Sequence, residues 1–304
     1  MRLYVIGSEG QIARSLYEAA EGDDSIVIGR SSRSELDVLQ PATIQRALSS
    51  FLPDVVVNPA AYTAVDKAES EADLAFAINR DGAGAVAAVA QELKIPVIHL
   101  STDYVFDGKK SMPYVETDPV APQSVYGRSK LAGEIAVAAA CERHIILRTA
   151  WVYAPFGTNF VRTMMRLGSE RDRLRVVNDQ IGCPTYAPDI ARAIISIAQS
   201  IQSYGWRREL AGVTHLASPD EVSWFTFANE IMRLVRARGG RSAIIDPIST
   251  ADYPTAAVRP ANSRLNCDRL KSLFNLRLPA LSNALETCID RLLGLSDKTA
   301  ERLS

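Results

Sequence analysis

The strongest constraint on the fold lies at the start of the chain. A short apolar run, Leu3 to Ile6, stops at Gly7, and Gln11 to Ala20 then has helical spacing, with Ile12, Leu16 and Ala19 or Ala20 on one face. The turn between them, Gly7-Ser8-Glu9-Gly10-Gln11-Ile12-Ala13, has the form G-x-x-G-x-x-A. Glycines there allow a tight turn and close backbone approach, and the free N–H groups of the helix start face an anion such as a pyrophosphate. Alone this is a weak motif, so the alternation that follows carries the weight. Ser25 to Gly29 is a second apolar run. Pro41 opens a helix reaching to about Phe51. Val55-Val56-Val57 is a β-branched run stopped by Asn58-Pro59. Glu71 to Glu92 reads as one long Ala-rich helix, Val97 to Ser101 as a strand, Tyr126 to Ala140 as a helix and Ile145 to Thr149 as a strand.

Near-continuous apolar strands are buried on both faces. Their alternation with helices predicts right-handed crossovers and a parallel sheet: an α/β chain with a doubly wound, Rossmann-type sheet. Ligands then bind at the carboxyl ends of the strands. Polar segments fall there: Gly7 to Gly10, Arg30 to Arg33, Asn58 to Ala61 and Ser101 to Asp103. After Trp151 prolines become frequent and the pattern loosens. Residues 1–150 are therefore expected to form the dinucleotide domain, and 151–304 mostly a smaller substrate domain. The helix from Asp189 to about Ser200 is expected to return to the first. Ala243 to Ile248 reads as a strand, and the last residues, 296–304, as a frayed end.

Composition excludes several classes of function. A formal net charge of −1 over 304 residues gives no electrostatic case for nucleic acid. The Ala-rich stretch from Ala83 to Ala90 is too short to span a bilayer, and the N-terminus runs straight into a strand without signal-peptide form. No membrane role and a cytoplasmic location are expected. The four cysteines and three histidines show no zinc spacing and no disulfide framework; His99 and His144 read as packed strand residues.

Two further segments carry chemistry. Where an NAD-preferring fold has an acidic residue after its second strand, this chain has Gly29-Arg30-Ser31-Ser32-Arg33. Guanidinium groups and hydroxyls accept a 2′-phosphate that a carboxylate would repel, which points to NADP(H), with NADH as an alternative. Tyr126 and Lys130 stand four apart on a helix and share a face. A nearby ammonium and the positive nicotinamide stabilise the phenolate, so the phenol can act as acid or base. Ser101-Thr102 brings hydroxyls to the same place.

The ordered set resembles the extended short-chain dehydrogenases/reductases, and within them the dTDP-4-dehydrorhamnose reductases. The resemblance is carried by Asn58 to Glu69, Ser101 to Gly108, Tyr126 to Glu134, Arg148 to Tyr153, Asp179 to Thr185 and Arg259 to Ser263. It implies hydride transfer from NADPH to the 4-keto carbon of a nucleotide-linked 4-dehydro-6-deoxyhexose. Tyr126 would then protonate the alkoxide, Lys130 hold the nicotinamide ribose and Thr102 bond the ketone oxygen. Asp103, Tyr104 and Trp151 would contact the sugar. Gly7, Gly10, Gln11 and Ile12 would bind pyrophosphate. Arg30, Asp37 and Val38 would surround the adenosine end, and Ala61, Tyr62, Thr63 and Leu100 would line the rest of the cofactor cleft. The chain departs from the pattern at Ala13, often a third glycine, and at Cys183, often serine. Some members are metal-bridged dimers, but Glu9, Glu18 and Asp189 are scattered, so no metal is expected and a homodimer is left open. Two alternatives stand: a sugar-nucleotide epimerase or dehydratase of the same extended family, and a non-catalytic subunit like the regulatory subunit of methionine adenosyltransferase.

Overall fold

The computed structural model describes residues 1–295; the tail expected to fray lies outside the described residues. Six strands form one parallel sheet: β1 (Arg2–Val5), β2 (Val27–Arg30), β3 (Val55–Asn58), β4 (Val97–Thr102), β5 (His144–Thr149) and β6 (Gly212–His215). Their order across the sheet is β6-β5-β4-β3-β1-β2, so the winding order reverses between β1 and β3, and the crevice for a ligand opens there.

Alternate strand residues face opposite sides, and each side has its own helices. Leu3, Val5, Val55, Val57, Ile98, Leu100, Ile145 and Leu147 pack with helix α1 (Gln11–Ala20) and with Ile190, Ile194, Ile197 and Ile201 of a helix at Ala187–Tyr204. Tyr4, Ile6, Val56, Val97 and Ile146 face the other way, onto helix α2 (Pro41–Phe51), helix α3 (Ala83–Glu92) and Val137 of helix α4 (Val125–Ala140). Pro41 stands in the first turn of α2, where its missing N–H costs nothing.

Two expectations need correction. The single helix expected over Glu71 to Glu92 is broken: Ala72–Phe76 is α-helical, Ala77–Gly82 forms a π-helical segment and α3 follows. The insertion lets Asn79 turn inward, and it is buried. The sheet also gains β6 from beyond residue 200, a strand too short and mixed (Gly-Val-Thr-His) for the apolar pattern to reveal.

The segments between and after these elements build a second core. Arg173–Val177 pairs in parallel with Ile244–Ile248, and Val152–Tyr153 with Thr185–Tyr186. Tyr153, Val161, Met164, Phe227, Ile231, Leu285 and Ile289 are buried together there. Among the described residues no helix is long and apolar enough to cross a membrane.

Candidate active site

The strand ends converge on one edge of the sheet. After β1, Gly7 takes φ +92°, a conformation a side chain rarely adopts, and turns the chain into α1. Gly10 caps that helix with no side-chain hydrogen bond, and the first turn carries no acidic residue. The first N–H groups of α1 are thus unclaimed by a cap and favourable to an anion. Tyr17 Oη donates to the Gly7 carbonyl at 2.8 Å, and the Arg30 guanidinium lies 5.0 Å over the Tyr17 ring, so β2's basic end stands beside the glycine turn. Gln11 is held from the second core: Asn159 Nδ2 donates to Gln11 Oε1 at 2.9 Å and to the carbonyls of Ala154 and Phe156. Ile12 packs with Ala154 and Phe156, which leaves its backbone rather than its side chain to face the turn.

After β3, Asn58 is buried and pairs with His99 at 3.2 Å. Asn79 clasps the next segment, accepting from the Tyr62 N–H at 2.8 Å, donating to the Tyr62 carbonyl at 3.1 Å and reaching Ser129 Oγ at 2.9 Å. Tyr62 Oη donates to Glu71 at 2.6 Å, and that bond pushes its pKa up to about 12. Ala61 and Thr63 flank Tyr62, with Thr63 exposed. Asp37 lies farther round: its carboxylate accepts from the Leu39 N–H, and Val38 fits against Gly82 of the π-helical segment.

After β4 the residues expected to carry the chemistry come together. Ser124 caps α4 by accepting from the Gly127 N–H at 3.1 Å, which starts the helix with Tyr126 in its first turn. The Tyr126 ring stands edge-on to Tyr104, with centroids 5.5 Å apart. Burial pushes the Tyr126 phenol above its ordinary pKa, while the adjacent Thr102 hydroxyl pulls it down. One turn on, the buried Lys130 Nζ donates to the Leu100 carbonyl at 2.6 Å, and burial draws its pKa down to about 8. The Leu100 side chain belongs to the core, so its backbone oxygen is what serves the site. Thr102 Oγ1 donates to Asp103 at 3.0 Å; Asp103 is buried, burial raises its pKa to about 6, and the Ser263 hydroxyl beside it pulls the other way. Asp103 thus adds a carboxyl group beside Thr102 and Tyr126 at the end of β4.

Trp151 follows β5 in the left-handed region, at φ +49°. Its indole stacks on Trp224 at 3.4 Å, lies against Gly182, and borders the cluster of Val105, Phe106 and Cys183. Sequence reading missed Trp224, Asn79 and Asn159; the one signal that could have found any of them is an Asn within an Ala-rich stretch, at Asn79. A cavity of about 870 Å³ lined by Phe227, Met232, Ile245 and Leu281 lies elsewhere and shares no residue with this constellation. Among the described residues, no group of three or more His, Cys, Asp or Glu is placed to hold a metal ion.

Known proteins share this arrangement of elements. The family described as the RmlD substrate binding domain matches residues 1–293. A dTDP-4-dehydrorhamnose reductase of Sinorhizobium fredii is 50% identical over 279 residues, covering 92% of this chain and 93% of that protein. The chain belongs to the dTDP-4-dehydrorhamnose reductase family. One from Escherichia coli K12 is 40% identical, over 92% of this chain and 94% of that protein. The crystal structure of a Bacillus anthracis dTDP-4-dehydrorhamnose reductase in complex with NADP superposes with a TM-score of 0.88 at 34% identity, covering 95% of this chain and 99% of that one. Membership of this family bears out the Rossmann-type α/β fold read from the sequence.

Proposed function

We propose that this chain reduces the 4-keto group of a nucleotide-linked 4-dehydro-6-deoxyhexose with NADPH, converting dTDP-4-dehydro-L-rhamnose to dTDP-L-rhamnose in the cytoplasm. The observation that carries the reading is the meeting of Thr102, Tyr126 and Lys130 at the end of β4, in a chain of this family. The residues present fit a dinucleotide: an uncapped helix start after a left-handed glycine, and an arginine beside it. Gly7, Gly10, Gln11 and Ile12 hold the pyrophosphate through backbone N–H groups. Arg30 takes the 2′-phosphate, Asp37 and Val38 the adenosine end, and Ala61, Tyr62, Thr63 and Leu100 the remaining wall. When bound, NADPH supplies the hydride.

Thr102 and Tyr126 orient the ketone oxygen between their hydroxyls. Burial keeps the Tyr126 phenol protonated, and it gives its proton to that oxygen as negative charge develops there. The Lys130 ammonium stabilises the phenolate left behind. Asp103, Tyr104 and Trp151 fix the sugar. The division of labour we propose is residues 1–150 for the cofactor and 151–304 mostly for the substrate, the latter built on the second core.

The test is stoichiometry. Given a 4-keto nucleotide sugar, the protein is expected to oxidise one NADPH per ketone and release NADP⁺ each cycle. Purification with tightly held NAD⁺, and conversion of the sugar without net oxidation of added NADPH, would replace this reading with an epimerase or dehydratase. A second measurement addresses Arg30. Arg30→Ala is expected to weaken NADPH binding by about 10- to 100-fold through the loss of a charge-assisted hydrogen bond worth about 1.5–3 kcal/mol, with little change for NADH. Equal losses for the two dinucleotides would remove Arg30 from the 2′-phosphate site.

A further inference from the structure

Behind Tyr126 and Lys130 lies a buried charge cluster that the mechanism above does not use. Ser101 on β4 and Arg148 on β5 are opposite each other in register, one residue before Thr102 and Thr149. Glu134 descends from α4 between them. Its Oε1 accepts from Ser101 Oγ at 2.5 Å and from Arg148 Nε at 2.9 Å, and its Oε2 accepts from Arg148 Nη2 at 2.7 Å. The two ionic side chains are only 4% and 5% exposed. A forked pair of this kind is strong in geometry, but desolvation offsets most of its attraction, so stability alone is a poor reason for it.

Its position supplies a better one. Glu134 stands four residues after Lys130, on the same face of α4. The Lys130 ammonium is buried, and its hydrogen-bond partner in the protein is a neutral carbonyl, that of Leu100. The ionisable groups around it come from three elements. On α4 they are Glu134 and the Tyr126 phenol. From β4 comes the imidazole of His99, which burial keeps neutral. From β5 comes Arg148, which is engaged by Glu134. Of these, the carboxylate of Glu134 is the one that favours the charged form of Lys130 against burial.

We propose that Glu134 is a positioning residue of the active site: clamped by Ser101 and Arg148, it keeps the buried Lys130 ammonium protonated and fixes α4 against β4 and β5 so that Tyr126 meets Thr102. The inference rests on the reductase reading. Two properties of Glu134 are separable. Glutamine keeps its shape without its charge; aspartate keeps the charge but is too short to span Ser101 and Arg148 together.

The experiment is the pH dependence of kcat/KM for NADPH-dependent reduction of a 4-keto nucleotide sugar. In Glu134→Gln the alkaline limb, where Lys130 loses its proton, moves to lower pH by roughly one unit, the lower end of what a neighbouring charge does. In Glu134→Asp the limb stays near its wild-type pH while kcat falls. Lower activity at all pH values with an unmoved limb in Glu134→Gln would overturn the proposal, since a purely structural role predicts that. If Glu134→Gln fails to fold with Arg148 left unpaired, the double variant Glu134→Gln/Arg148→Met removes both charges; its limb again moves to lower pH, by less because a cation is lost with the carboxylate, and an unmoved limb counts against the proposal. The limb is also read without substrate, from the pH dependence of NADPH affinity by nicotinamide fluorescence. A wild type inactive on every 4-keto sugar would thus sink the reductase reading, while an unmoved binding limb in the variants would sink the role of Glu134.

Discussion

Replacing Tyr126 with phenylalanine is expected to lower kcat by roughly 10²–10⁴-fold while leaving NADPH affinity nearly unchanged, the magnitude typical of losing a general acid. The ring survives in this variant, and with it the edge contact to Tyr104 that holds the side chain in place. Only the hydroxyl beside Thr102 is lost. The hydroxyl matters when charge appears on the ketone oxygen, so its removal falls on the chemical step and not on cofactor binding. Fluorescence titration with NADPH and steady-state kinetics on the same preparation separate the two. Turnover within a few-fold of wild type would take the acid's role away from Tyr126.

Gly133→Ala is expected to cost about 3 kcal/mol or more, the upper end for overpacking. At roughly 2–4 °C per kcal/mol for a chain somewhat smaller than this one, the midpoint of thermal unfolding should fall by several degrees or more. Gly133 faces the π-helical segment, and an added methyl would run into the backbone carbonyl of Asn79, then meet Ala83 at 3.7 Å. A backbone oxygen cannot rotate aside as a side chain can. Displacing Asn79 also loosens its clasp on Tyr62 and on Ser129, so NADPH affinity should drop with stability. Gly84→Ala is the control: its methyl would come 3.2 Å from the Ala136 methyl, a mild contact that small shifts relieve. A Gly133→Ala protein as stable as the wild type would mean that α4 and the π-helical segment are not packed as described.

What the sequence made legible was whatever repeats a local period. Val55-Val56-Val57 and Val97 to Ser101 are buried on both faces, so their apolar character is continuous and the strands are plain. The glycine turn and Ser101-Thr102 stood out because each follows such a strand, and the Tyr126–Lys130 pair because a spacing of four puts both on one face of a helix. What stayed hidden depends on contacts between distant segments. The π-helical insertion leaves the composition of Ala72 to Glu92 unchanged while rotating Asn79 inward. Trp224 is read as an ordinary residue of an amphipathic helix until the fold brings it onto Trp151. Asn159 caps its own helix through Oδ1, while its Nδ2 holds Gln11 from 148 residues away. The resemblance to a known family supplied the roles of Asp37, Val38 and Trp151, which no period or spacing assigns.

The outer strand β6 and the helix at Ala187–Tyr204 bear on how such a protein can be taken apart. Both lie after the first run of the second core, yet one completes the parallel sheet beside β5 and the other covers the face that holds Leu3, Val57 and Leu147. A fragment ending at residue 150 would leave the β5 edge unpaired and strip five isoleucines from the sheet. The half that carries the parallel sheet is therefore not a portable cassette with one seam. Recombination between relatives that aims to exchange sugar specificity while keeping the cofactor has to cross over on both sides of residues 187–215, and carry them with the glycine turn.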